Sequence, residues 1–262
     1  MLKTIRHVTF FVLAAALSAT PAMAGTIAWD FTGSNSSGSF GNTRTFTSGG
    51  ITITATAWGF TWGSGNTALE TAALGQWGTG LGVCDRSEGS GCSDPSHQVD
   101  NEGYDNFVLF QFSAPVDITT VTIDPYGTWD RDVSYWTGNV VGTLNLDGKT
   151  YANLASLGFG SRVDDDGSTS SSSRNVAISG GAVNALLFGA QVGGQDPTTY
   201  NCGTYSHPRT CTDYSYDYFK ISGMNATTVP PPNTTPVPEP GTVVLLGTGV
   251  AALAVRYRRS RA

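Results

Sequence analysis

The chain has 262 residues and a mass of 27.4 kDa, and only 13% of its residues are charged, about half the usual globular share. Hydrophobic residues make up 39% and aromatics 11%, enough apolar material for one sizeable core, so wholesale disorder is excluded. A formal charge of −6 with only 14 Lys and Arg also excludes nucleic acid as a partner.

At the N-terminus, Met1-Leu2-Lys3-Thr4-Ile5-Arg6 supplies a basic start. Val8 to Leu17 is an apolar run, and Ala22-Met23-Ala24 is a small-residue cleavage site. This order is that of a secretory signal peptide over residues 1–24, engaged by the Sec translocon and removed by signal peptidase. The apolar run is too short to cross about 30 Å of hydrocarbon comfortably.

From Gly25 to Thr228 helical periodicity is almost absent and strand signals are many. Thr26 to Phe31 is a first candidate strand. Ile51 to Trp58 alternates apolar or small residues with Thr, as a half-buried strand does. Phe107 to Phe112 is a mostly apolar run suited to a central strand. Ala114-Pro115 breaks it, and Val116 to Ile123 alternates again. Val140 to Leu146, Asn175 to Ser179, Val183 to Val192 and Tyr216 to Ser222 follow, with Asp147-Gly148 as a hairpin-turn signal. Short strands joined by Gly- and Asp-rich turns predict an all-β fold, an antiparallel β-sandwich or jelly-roll-like single domain over residues 25–228.

Four cysteines lie in this body, Cys84, Cys92, Cys202 and Cys211. An even count in an exported chain predicts two disulfides. Local pairing, 84 with 92 and 202 with 211, would staple two short loops, each contributing roughly 2.5 kcal/mol. The spacings do not fit the close Cys pairs of structural zinc sites.

No catalytic residue stands out. The histidines of the body are His97 and His207, too few for a three-His zinc site, and neither a Gly-x-Ser-x-Gly elbow nor a His-Glu-x-x-His motif occurs. A non-enzymatic body is expected. The alternative is a secreted glycan-active hydrolase, which needs two acids about 5–10 Å apart. The acids from Asp85 to Asp105 sit in turn contexts that favour solvation over a buried acid.

Calcium is the cofactor the acids suggest, because hard cations take loop carboxylate and carbonyl oxygens. Asp100, Asn101 and Asp105 precede the Phe107 strand. Asp130 and Asp132 alternate, so both point to one side. If the two segments meet, these five residues supply a ligand set; solvated acidic loops are the competing reading. The Asp164-Asp165-Asp166-Gly167 loop fails as an EF-hand, since that register puts Arg162 first and Ser173 last. Gly78-Thr79-Gly80-Leu81-Gly82 lacks the helix or the Gly-Lys-Ser/Thr element of a phosphate loop. Trp58, Trp62, Trp77, Trp129, Trp136, Tyr126 and Tyr135 either fill the core or stack on sugars; no carbohydrate-binding residue is assigned among them.

Residues 229–237 form a Pro-rich spacer without a core-forming pattern. Pro238-Glu239-Pro240 follows, then the uncharged segment Gly241 to Val255, then Arg256-Tyr257-Arg258-Arg259-Ser260-Arg261-Ala262. At 1.5 Å per residue the uncharged segment spans about 22 Å, a short transmembrane helix. The arginines hold the tail on the cytoplasmic side.

Residues 238–262 resemble the PEP-CTERM sorting signal, with Pro238, Glu239 and Pro240 as its motif and Arg256, Arg258 and Arg259 in its basic cluster. The resemblance implies processing by an exosortase in a Gram-negative bacterium that makes exopolysaccharide and biofilm. It further implies transient anchoring in the inner membrane, then display at the cell surface or in the extracellular matrix, with exopolysaccharide as a partner. Gly80-Leu81-Gly82-Val83, His97 to Asn101, the Phe107 and Val116 strands and Asp130 to Trp136 are similar to a group of exosortase-dependent surface proteins. A structural or adhesive role, with calcium or carbohydrate binding, is the resulting expectation. Without both ends the body keeps 8 basic and 19 acidic residues, a net charge of −11.

Overall fold

The computed structural model describes residues 25–60, 68–89, 92, 97–125, 127–193 and 196–229, with positions 247, 249, 256, 257, 259 and 260 of the C-terminal tail. Its strands are, in chain order, β1 (Thr26–Asp30), β2 (Thr43–Ser48), β3 (Ile51–Phe60), β4 (Leu69–Thr71), β5 (Ala73–Trp77), β6 (Gly80–Cys84), β7 (Val99–Asp100) and β8 (Asn106–Pro125). After them come β9 (Val133–Gly138), β10 (Val163–Asp165), β11 (Arg174–Ala177), β12 (Ala182–Ala190), β13 (Asp196–Asn201), β14 (Thr210–Ser215) and β15 (Tyr218–Thr228). One 3-10 helix covers Tyr151–Leu157. Thirteen strands join in one sheet, and β13 and β14 form a separate hairpin.

The sheet is organised by β8. Its first part, Asn106 to Phe112, pairs antiparallel with β3 on one edge and β12 on the other. Its second part, Val116 to Pro125, pairs with β15 and β11. The two strands expected on either side of Ala114-Pro115 are therefore one. Pro115 has no N–H to give a ladder, and the pairing of β12 jumps there from Val116 to Gln111. The proline diverts the strand without ending it.

Alternate residues explain the sequence pattern. Val108, Phe110, Val116, Ile118, Val121 and Ile123 of β8 face the main core, with Ile53 of β3, Phe188 of β12 and Ile221 and Met224 of β15. Phe107 and Leu109 face the other way, into a second cluster with Trp58, Trp136, Leu187, Leu154 and Phe159. The first part of β8 is thus covered on both faces, which is why it reads as an unbroken apolar run. Gly189 is required where β12 crosses it, since a Cβ there would meet the Asn106 carbonyl oxygen at 2.1 Å.

Val140 to Leu146 is not a strand. Gly142 turns the chain at φ +71, and Val140 and Leu146 drop into the second cluster as its cover. Asp147-Gly148 does turn, with the Lys149 N–H donating to the Leu146 carbonyl at 2.9 Å, but the flanking segments form no hairpin. The disulfides are Cys84–Cys92 and Cys202–Cys211. The first packs with Trp77 and Ala73 in a third cluster, and the second closes the β13–β14 hairpin.

The expected signal peptide, residues 230–237 of the spacer, Pro238 to Pro240 and Arg258 lie outside the described residues. Among the described residues no helix is long and apolar enough to cross a membrane.

Phe110 is fully buried and stacks on Phe31 with ring centroids 5.3 Å apart. Phe110→Ala is expected to cost about 3–5 kcal/mol in urea unfolding. Asp117→Asn, exposed on the same strand, should stay within about 0.5 kcal/mol.

Candidate functional site

The approach to β9 and the approach to β15 meet. Asp130 forms an isolated parallel bridge with Asp217, and the Tyr218 N–H donates to the Asp130 carbonyl at 3.4 Å. Alternation then turns Asp130 and Asp132 to one side and Arg131 to the other. The Arg131 guanidinium donates to the carbonyls of Ser168 at 2.7 Å and Ser172 at 2.8 Å, pinning the serine-rich loop. The carboxylates of Asp130, Asp132 and Asp217 each offer an oxygen within 4.8 Å of the others. The three residues are only 6%, 5% and 1% exposed.

Asp217 is held from several directions. The Asp132 N–H donates to its Oδ1 at 2.7 Å, and Asn101 Nδ2 and the Gln191 N–H donate to its Oδ2 at 2.8 and 3.2 Å. Its own N–H donates to Asn101 Oδ1 at 2.9 Å. Asp130 accepts from the Arg131 N–H at 2.8 Å, and Asp132 accepts from the Gly167 N–H. Burial pushes the Asp217 carboxyl up to about 8, and the charges of Asp132 and Asp130 push the same way against the amide hydrogen bonds. Carboxylates this close and this dry repel one another when charged, which favours uptake of a proton.

The sequence-derived ligand set is only partly assembled here. Asp130 and Asp132 belong to the cluster, and Asn101 lies at its edge, where it holds Asp217 by both side-chain atoms. Asp100 and Asp105 are corrections. Asp100 is the neighbour of Asn101, so its side chain points to the other side. It accepts from the Glu102 N–H at 3.2 Å, and burial, then Glu88 and Asp85, push its carboxyl well above the usual range. Asp105 accepts from the Tyr151 hydroxyl at 2.7 Å, beside the second cluster.

Asp217 was not among the expected ligands. Its stretch, Tyr200 to Tyr218, reads as an aromatic edge cover, and the one available signal is an isolated acid between two tyrosines at a strand entrance. His97 contacts Glu88 at 2.9 Å, and His207 lies on the β13–β14 turn. Trp58, Trp77, Tyr135 and Trp136 are core residues, whereas Trp129 is 41% exposed. Trp62 and Tyr126 lie outside the described residues.

Residues 236–259 match the PEP-CTERM protein-sorting motif. The chain therefore carries the sorting signal its C-terminus resembles, and the signal marks it as an exported, surface-directed substrate of an exosortase. Arg256 and Arg259 of the basic cluster are helical and exposed. No curated protein and no solved structure matches the chain significantly.

A folded-state pKa raised above the unfolded value means that the folded protein holds a proton the unfolded chain has lost. Stability from this group is full below the unfolded carboxylate pKa and is lost as pH rises toward about 8. In chelator, the melting temperature should fall from about pH 5 to pH 9. Asp217→Asn should flatten that slope, whatever its overall stability; an unchanged slope would place the proton elsewhere.

Proposed function

We propose that the body is a non-enzymatic surface or matrix protein, structural or adhesive in role, fastened by one calcium ion between Asp130, Asp132 and Asp217. The observation that carries this reading is the approach of three buried carboxylates to within 4.8 Å from segments 85 residues apart. All the donors are oxygen, which favours a hard cation. Carboxylates able to bind in one- or two-oxygen mode suit calcium better than the stricter magnesium octahedron. A cation here ties the entrance of β9 to that of β15, and the net charge of −11 concentrates divalent cations around the domain.

The shielding of the cluster supports a structural role over the hydrolase alternative. A glycosidase places its two acids on either side of a bound sugar, and carboxylates 1–6% exposed offer no such access. Outside the body, the exported chain is held transiently in the inner membrane by its C-terminal segment, until an exosortase removes it and delivers the protein to the exopolysaccharide-containing surface.

The melting temperature with excess calcium and with chelator tests the cation. At a hundredfold excess over Kd the gain is about 2.7 kcal/mol, roughly 5–10 °C for a domain of this size. Asp130→Asn with Asp132→Asn should abolish the shift. No shift in the unaltered protein, or the same shift in the double variant, contradicts the site.

Processing is read by intact mass. Protein released from the cell surface should lack residues 1–24 and the arginines from Arg256 to Arg261, and Glu239→Ala should accumulate in the envelope. A released chain that still contains Arg261 contradicts this route.

A further inference from the structure

The inward turn of Asp130 and Asp217 sets their neighbours outward, because successive side chains of an extended chain alternate. Tyr216 and Tyr218 flank Asp217, with ring centroids 6.3 Å apart and planes at 75°. Trp129, next to Asp130, leans on Tyr218 with centroids 4.8 Å apart and planes at 52°. Trp129 is 41% exposed, and Tyr214, two residues before Tyr216, is 52% exposed. The Tyr218 hydroxyl donates to the exposed carboxylate of Glu102. Tyr216 and Tyr218 are half-buried, so the two acid-bearing segments carry a cluster of partly exposed rings.

We propose that the Trp129–Tyr218–Tyr216 cluster binds an uncharged polysaccharide. The face of a pyranose presents polarised C–H groups, which match the electron-rich faces of aromatic rings. Glu102 adds acceptor oxygens for sugar hydroxyls at the edge of the rings. Mutual ring contacts and the Tyr218–Glu102 hydrogen bond set the ring orientations before binding, which lowers the ordering cost.

Charge selects the class of glycan. Glu102 borders the rings, exposed Asp213 directly precedes Tyr214 in β14, and the body is net −11. A polyanionic chain is repelled by such a surface, and an uncharged one is not. The same acidic border is poorly suited to a protein partner, whose interface core is depleted of charge. This proposal does not depend on the calcium reading.

The test is affinity electrophoresis of the full-length chain through gels containing hydroxyethyl cellulose, dextran, galactomannan or alginate, each run with calcium and with chelator. At least one uncharged polysaccharide should retard the protein, and alginate should not in chelator. Trp129→Ala should weaken the association roughly three- to tenfold, and Trp129→Phe should retain most of it. Near-UV circular dichroism and the melting temperature report whether each variant is folded; if Trp129→Ala is not, Tyr216→Ala takes its place. Retardation by no uncharged polysaccharide, equal retardation by alginate in chelator, or unchanged binding of a folded Ala variant overturns the proposal. Loss of the calcium-dependent melting shift with glycan binding intact would remove the cation reading alone.

Discussion

The whole sheet depends on β8 serving two sets of neighbours with one backbone. Its first part hydrogen-bonds β3 and β12, and its second hydrogen-bonds β15 and β11. Strands far apart in sequence therefore share one register. The inward residues of both parts contribute to a single core, in which Phe31, Phe110, Phe188 and Phe219 are fully buried. Burial of this apolar area is the dominant stabilising term. The divergence at Pro115 lets one strand follow the curvature that a shared core demands, as an irregularity in the ladder does elsewhere in twisted sheets.

The aspartate cluster is an electrostatic consequence of that register. β8 holds β15, and β12 holds β9. Where the approaches to β9 and β15 converge, their backbones bridge at Asp130 and Asp217. The backbone amides of Asp132 and Gln191 and the side chain of Asn101 satisfy the Asp217 oxygens, but amide dipoles do not cancel the repulsion of nearby like charges in a poorly solvated site. The same constraint favours proton uptake at low pH, and the proposed cation would relieve the same repulsion. A proton and a cation compete for the same oxygens, so cation affinity in such a site rises with pH.

The body's chemistry accords with an exported protein. Both disulfides are closed, one against the β5–β6 hairpin and one across β13 and β14. Acidic residues outnumber basic ones by 19 to 8 outside the two end segments, which keeps such a domain soluble and draws divalent cations to it. The sorting motif supplies the route to the surface. Its arginines belong to that route, and the free body is far more acidic than the whole chain.

Much of this protein was legible before folding was considered. The sorting tail is a local pattern whose meaning is carried by charge, length and order, and the all-β character is a period-2 pattern, as in Ile51 to Trp58. The same alternation put Asp130 and Asp132 on one side, because side-chain direction in an extended segment is a property of the backbone. Cysteine pairing followed the short spacings. Tertiary structure decided the rest. Val140 to Leu146 has strand-like residues but covers a sheet face, since Gly142 turns it and no partner edge is in register. Asp100 and Asp105 have the right chemistry and the wrong direction. Asp217 joined Asp130 across 87 positions because long-range ladders through β8, β12 and β15 bring two strand entrances together, and no local pattern encodes the distance between residues that only a shared sheet makes neighbours.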